Sequence, residues 1–220
     1  MNNVAKPIGR LHVLTDFYFQ QRYGHAELAR LAIEGGADTI QFRQKFGGIR
    51  HKLYEARRTA TVCHGAQIPL LIDDHIEIAL AVGADGVHLG QEDFPVAEAR
   101  RLLGPAAIIG ATATTVEEAI EAWQAGADYI GFGPVFPTGS KANPAAVKGV
   151  EGLAAVCAAV PIPVIAIAGI TVQRVRTVLE AGAYGVAVMT AITTAPDPRL
   201  AAAQFRSEID AFLQQHNPRR

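Results

Sequence analysis

The segment Gly126-Ala-Asp-Tyr-Ile-Gly-Phe-Gly-Pro-Val-Phe-Pro-Thr-Gly-Ser-Lys-Ala-Asn-Pro-Ala-Ala-Val-Lys-Gly-Val150 passes from a helix stop, through a short apolar strand at 129–136, into a polar loop. Its opening tripeptide recurs. Gly36-Ala37-Asp38, Gly83-Ala84-Asp85 and Gly182-Ala183-Tyr184 each stand, like Gly126-Ala127-Asp128, between a helical pattern and a β-rich run. Glycine suits the left-handed position that ends a helix. The spacing makes the repeating unit two strands and two helices. Four such units predict an α/β fold of the TIM (β/α)8 barrel type, with solenoid stacking the less economical alternative.

The rest of the chain agrees. Strands are expected near 11–15, 39–45, 69–73, 86–90, 107–112, 129–136, 163–168 and 185–189. Helices are expected near 25–35, 49–65, 75–82, 95–103, 115–125, 150–159, 171–181 and 197–215. The last helix carries Phe205, Ile209, Phe212 and Leu213 on one face, a packing stripe. No linker or composition shift interrupts the alternation, so residues 1–220 read as one barrel domain.

Composition narrows the function. Half of the 220 residues are apolar and the net charge is −1, which argues against a nucleic acid or a membrane surface as the main partner. The two cysteines, Cys63 and Cys157, lack metal-ligand spacing. Cys63 falls on a helical face with Ile49, Leu53, Ala56 and Ala60, which predicts burial. The start Met1-Asn-Asn-Val-Ala-Lys-Pro7 has no apolar leader region, and no apolar run reaches spanning length. A soluble, cytoplasmic protein acting on small molecules is expected. Self-association would be ordinary at this size.

In such a barrel, chemistry belongs at the C-terminal ends of the strands. The run Thr39-Ile-Gln-Phe-Arg-Gln-Lys45 places Gln41, Arg43 and Lys45 on one face, with Phe42 and Gln44 on the other. Phe42 should pack against helices, so the cations point inward and call for an anion, unless Asp or Glu neutralises them internally. The next strand ends end in Asp73-Asp74-His75 and His88-Leu-Gly-Gln-Glu-Asp93. Two carboxylates beside a cationic strand suit Mg2+ bridging to a polyphosphate. Both also read as helix caps, Asp74 with Glu77 and Asp93 before Pro95. Thr115 and Glu118 look like a capping box, leaving Thr112 and Thr114 as candidate ligand hydroxyls. Thr138, Ser140 and Lys141 follow the sixth strand; Gly169-Ile-Thr171 and Met189-Thr190 follow the seventh and eighth. Hydroxyls, close backbone approach and a lysine suit a phosphate.

Taken in order, these strand ends resemble the thiamine phosphate synthase family over nearly the whole chain. The matching segments are Leu11-His-Val-Leu-Thr-Asp16, Gln41-Phe-Arg-Gln-Lys45, Asp73-Asp74, His88-Leu-Gly-Gln-Glu-Asp93, Gly133-Pro-Val-Phe-Pro-Thr-Gly-Ser-Lys141, Gly169-Ile-Thr171 and the strand from Val186 to Ile192. The resemblance implies a magnesium-dependent transferase of thiamine biosynthesis. It would join a pyrimidine diphosphate (4-amino-5-hydroxymethyl-2-methylpyrimidine diphosphate) to a thiazole phosphate and release pyrophosphate. It further implies that Asp74 and Asp93 hold Mg2+, and that Gln41, Arg43, Lys45 and Lys141 hold the diphosphate. Asp73 and Thr112 would lie near the pyrimidine end, and Thr138, Ser140, Gly169, Met189 and Thr190 around the thiazole phosphate. The catalytic burden would fall on Arg43, Lys45 and Lys141.

Four positions depart from the family pattern. Asp73 stands for a usual asparagine, Thr112 for a serine, Thr114 for a histidine and Ala168 for a glycine. A related thiazole tautomerase uses that histidine for proton transfer and tends to lack the carboxylate matching Asp93, so both positions favour the synthase. A non-catalytic phosphate-ligand binder is the alternative from another class, and another sugar-phosphate barrel enzyme the alternative from fold alone.

Overall fold

Eight parallel strands form a closed barrel in chain order: β1 (Leu11–Thr15), β2 (Thr39–Phe42), β3 (Leu70–Asp73), β4 (Gly86–Leu89), β5 (Ile108–Ala113), β6 (Tyr129–Phe132), β7 (Val164–Ile167) and β8 (Gly185–Val188). The computed structural model describes residues 8–140 and 146–216. Helices α1 (His25–Glu34), α2 (Ile49–Gly65), α3 (Ile76–Val82), α4 (Val96–Leu103), α5 (Val116–Gln124), α6 (Gly149–Ala159) and α7 (Val172–Glu180) follow the first seven strands. A short α8 (Thr190–Thr193) and a long α9 (Pro198–His216) follow β8. This is the expected α/β TIM barrel. Among the described residues, no helix is long and apolar enough to cross a membrane.

The differences from expectation lie at strand ends. β2 stops at Phe42, the last residue with partners in both β1 and β3, so Arg43 to Lys45 continue beyond the paired edge. β6 stops at Phe132, and Pro134 beyond it has no N–H to give a ladder. The extra α8 makes nine helices among the described residues, where eight were expected.

The recurrent Gly-Ala-Asp has a common job. Gly36, Gly83, Gly126 and Gly182 all have positive φ, which reverses the chain after α1, α3, α5 and α7. The aspartate then accepts an N–H at the start of the preceding strand: Leu11 on Asp38 at 2.7 Å, Leu70 on Asp85 at 2.9 Å, and Ile109, the second residue of β5, on Asp128 at 2.7 Å. Each carboxylate thus satisfies a strand-end donor that closure leaves over. Tyr184 breaks the pattern, and there Arg10 donates to the Tyr184 carbonyl at 2.6 Å instead.

Alternation divides the core. Leu11, Val13, Ile40, Phe42, Leu70, Ile72 and Val87 face the helices, while Leu14, Leu71, Ile108, Tyr129, Ile165 and Ala187 fill the barrel. Cys63 is buried as expected, but Ile49 is half exposed and lies off that face. On α9, Phe205 and Ile209 are buried and Phe212 and Leu213 pack beside them. Each such aliphatic or aromatic burial contributes about 1.5–3 kcal/mol.

Candidate active site

At the mouth formed by β1 to β4, the cations are paired. Arg43 binds Asp16, which is almost fully buried, and Lys45 Nζ lies 2.5 Å from Asp74 Oδ2. Asp16 also fixes the turn after β1, accepting the N–H groups of Tyr18 at 2.7 Å and Phe19 at 3.2 Å. Internal carboxylates thus hold both guanidinium and ammonium groups, the alternative raised from the sequence. Gln41 points into the barrel as the alternation requires.

Neither aspartate behind the candidate metal site caps a helix. α3 begins after His75, which has no side-chain cap, and Glu77 instead binds His75 Nδ1 at 2.8 Å. α4 begins after Pro95, while Asp93 Oδ2 accepts the Gly90 N–H at 2.6 Å. The capping readings of Asp74 and Asp93 are therefore corrected. The two carboxyls lie side by side, each acting on the ionisation of the other. Burial and the Asp74 carboxylate raise Asp93 above the usual range. Burial also opposes ionisation of Asp74, yet the Lys45 hydrogen bond and charge outweigh it and hold Asp74 low.

Asp74 takes a left-handed φ of 66°, and its N–H extends the ladder to the His88 carbonyl at 2.9 Å. Beneath it Lys52 Nζ reaches His75 Nε2 at 2.9 Å, bracing the turn. Asp73 is buried, and its Oδ1 has no hydrogen-bond partner. Burial, with Asp74 beside it, pushes the Asp73 carboxyl up to about 8.

The remaining carboxylate-side hydroxyls separate. Thr112 Oγ1 lies 3.0 Å from His88 Nε2 inside the barrel. Thr114, a candidate ligand hydroxyl in the sequence, instead donates to Glu118 Oε2 at 3.0 Å through its side chain and at 2.6 Å through its N–H. Thr115 does cap α5, accepting from Glu118 N at 3.2 Å. The reciprocal arm of the box has moved one residue back. His88 and His75 are both committed to protein partners, in line with a structural role.

Across the mouth, Ser140 Oγ lies 2.9 Å from Thr190 Oγ1, and Thr138 Oγ1 accepts the Ser140 N–H at 3.2 Å. Gly169 has φ of 67°, and a Cβ there would come within 2.6 Å of the Pro137 carbonyl. Arg174 clamps this turn, donating to the Gly169 carbonyl at 2.6 Å while stacking on Phe136. Met189 packs on the apolar filling of the barrel. Lys141 lies outside the described residues. Lys52, Tyr129 and Arg174 have no role assigned from the sequence, and Asp16 figures there only as the polar end of the first strand; the inward parity of Tyr129 is the one further signal the sequence holds.

No group of three or more His, Cys, Asp or Glu side chains among the described residues is arranged to hold a metal by itself. A pair of carboxylates suits a magnesium ion that takes its remaining ligands from water and phosphate. Two surface depressions, beside Arg206 on α9 and beside Arg10 and Tyr184 under the barrel, contain none of these residues.

Residues 11–192 match the family model described as thiamine monophosphate synthase. A thiamine-phosphate synthase of Salinibacter ruber is 67% identical over 210 residues, covering 96% of this chain and 92% of the relative. One from Chloroflexus aurantiacus is 42% identical over 200 residues, 91% of this chain and 92% of its own. A solved structure, thiamine phosphate pyrophosphorylase from Pyrococcus furiosus, superposes with a TM-score of 0.84 at 39% identity, covering 93% of this chain and 96% of that one. The chain belongs to the thiamine monophosphate synthase family.

Proposed function

We propose that this protein is a thiamine-phosphate synthase, a transferase that moves a pyrimidinylmethyl group from its diphosphate to the nitrogen of a thiazole phosphate. The observation that carries the reading is the presence of two separate polar clusters on one barrel mouth. Arg43, Lys45, Asp74 and Asp93 gather after β2 to β4; Thr138, Ser140, Gly169 and Thr190 gather after β6 to β8. Two phosphorylated substrates need two such places.

The chemistry follows from charge. The bond between the pyrimidine methylene carbon and the diphosphate oxygen breaks, and its electron pair leaves with pyrophosphate. Arg43 and Lys45 exchange their carboxylate partners for that developing charge, with Lys141 as a third cation. Asp74 and Asp93 suit Mg2+, since two adjacent carboxylates can hold a divalent ion whose other positions go to water and phosphate oxygens. When bound, Mg2+ would neutralise diphosphate charge. The thiazole nitrogen then bonds to the methylene carbon, held in reach by Ser140, Thr190 and the Gly169 turn. Gln41 joins the diphosphate side, Asp73 and Thr112 serve the pyrimidine end, and Met189 the thiazole end. No protein nucleophile is needed. Cytoplasmic location and self-association remain compatible with this reading.

The tautomerase reading loses its base: Thr114 is no histidine, and its hydroxyl is committed to Glu118. Pyrophosphate release from the purified protein, measured with and without thiazole phosphate, tests the proposal. Release that requires both substrates and matches thiamine phosphate mole for mole supports it. Binding of thiazole phosphate with the diphosphate left intact is what a sensor would give.

A further inference from the structure

Inside the barrel, below the mouth, five side chains form an unbroken line of hydrogen bonds. His12 Nε2 lies 3.2 Å from the Gly9 carbonyl, and His12 Nδ1 lies 3.0 Å from Gln41 Nε2. Gln41 Nε2 continues to the Tyr129 hydroxyl at 3.1 Å. Tyr129 lies 2.8 Å from His88 Nδ1, and His88 Nε2 lies 3.0 Å from Thr112 Oγ1.

The line has a direction, set at its lower end. A carbonyl only accepts, so His12 carries its hydrogen on Nε2 and offers a lone pair at Nδ1. Burial supports this by holding His12 neutral, its pKa lowered to about 3. Gln41 must then present its amide NH2, which donates to both His12 and the Tyr129 oxygen. Tyr129 is fully buried, and its hydrogen has His88 Nδ1 as acceptor. His88 is therefore hydrogen-bearing on Nε2 and donates to Thr112. The reverse direction would set two acceptors face to face at Gly9.

The barrel is built around this line. A Cβ on Gly110 would fall 2.1 Å from Tyr129 Cζ, and one on Gly131 would fall 2.8 Å from His88 Cε1. Both glycines sit at inward positions where any side chain would expel a ring. The His12 and His88 rings flank Tyr129 with centroids 5.3 and 5.4 Å away.

We propose that Tyr129, with His12 and Gln41 behind it, is a positioning residue that fixes the His88 tautomer, so that Thr112 faces the substrate as a hydrogen donor. With its oxygen already accepting from His88, the Thr112 hydroxyl has its own hydrogen to give. A donor at this point selects a ring nitrogen bearing a lone pair and rejects an analogue bearing N–H there. The barrel thereby discriminates an aminopyrimidine from a pyrimidinone diphosphate. This inference rests on the synthase reading for the identity of the ring, but the direction of the line does not.

Two experiments separate the two claims. Proton–nitrogen correlation NMR of the substrate-free wild-type protein, with 15N-labelled histidine, reads the tautomers directly. His12 and His88 both neutral with hydrogen on Nε2 is the expected result; His88 with hydrogen on Nδ1 overturns the inference, whatever the activity. In turnover, Tyr129→Phe should lose about tenfold in discrimination between the aminopyrimidine and pyrimidinone diphosphates, with KM for thiazole phosphate unchanged. Thr112→Ser keeps the discrimination and Thr112→Val loses it, a comparison that remains should Tyr129→Phe fold poorly. Discrimination equal in wild type and Thr112→Val overturns the inference. Failure of the wild type to form thiamine phosphate would instead remove the synthase reading and leave the tautomer result standing.

Discussion

Ser140 Oγ and Thr190 Oγ1 meet at 2.9 Å, joining the loop after β6 to the start of α8. Each hydroxyl is half-buried and belongs to a different side of the same cluster. If this cluster takes the thiazole phosphate, Ser140→Ala should raise KM for that substrate about tenfold, the scale of one hydrogen bond to a charged group. KM for the pyrimidine diphosphate should stay unchanged. Steady-state kinetics with each substrate varied in turn checks this, and an equal rise in both KM values would contradict the separation of the two clusters.

Ala168 stands beside the phosphate turn with φ of 75°, a conformation that costs an alanine about 1–2 kcal/mol. The position is held because the Ala168 carbonyl accepts the Phe136 N–H at 3.2 Å. Ala168→Gly should therefore stabilise the protein by about 0.5–1 kcal/mol, after the larger chain entropy of glycine is subtracted. Thermal unfolding should show a gain of roughly 2 °C. A lower midpoint would mean that the alanine methyl makes contacts worth more than the strain.

Asp73 is raised to about 8 by burial, reinforced by Asp74 and opposed by Arg43 and Lys45. Between about pH 4 and pH 8 the folded protein keeps this proton while the unfolded chain has released it. Stability then falls as pH rises through that window. Asp73→Asn removes the dependence, so its stability advantage over the wild type should grow from pH 5 to pH 8. Activity should be equal or better. Parallel denaturation curves for the two proteins would show that Asp73 is already ionised in the fold.

Three histidines act in the other direction. Burial lowers His12 to about 3, and His25 and His88 to about 4. The unfolded chain takes up protons below about pH 6.5 that the folded form refuses, so these groups cost stability as pH falls from 6.5 toward 4. His25→Gln should flatten the acid limb of a stability–pH profile. An unchanged limb would place the acid sensitivity elsewhere.

Much of this architecture is legible in the residues. Gly126-Ala127-Asp128 and its relatives mark every second helix end, because the same stereochemical reversal and the same strand-end N–H recur there. The phase of Gln41, Arg43 and Phe42 follows from the two-residue period of a strand. Pairing across the barrel is another matter. Nothing local to Asp16 names Arg43 as its partner, and nothing near Tyr129 shows that Gly110 and Gly131 are empty to receive two rings. Thr114 misleads for a similar reason. The capping-box pattern predicts that Glu118 reaches back, but its one-residue shift to Thr114 depends on how β5 enters α5. Asp74 and Asp93 look like caps because the spacing fits; the left-handed Asp74 backbone turns its carboxyl toward Lys45 and Asp93 instead.

Asp74 and Asp93 lie side by side at the mouth, so replacing either should leave the barrel intact and remove one of the two carboxylates that suit a divalent ion. Asp74→Ala and Asp93→Ala should each lower turnover by on the order of 100-fold or more, with unchanged far-ultraviolet circular dichroism. Near-normal turnover in both would remove them from the site.

The most direct measurement is a 31P NMR time course of the purified protein with the pyrimidine diphosphate and the thiazole phosphate, run in Mg2+ and again in excess EDTA. One spectrum follows both substrates and both products. Loss of the diphosphate ester matched by equal gains of pyrophosphate and thiamine phosphate, in Mg2+ alone, is the predicted result. A diphosphate ester that stays intact in Mg2+ while the protein binds thiazole phosphate would contradict it.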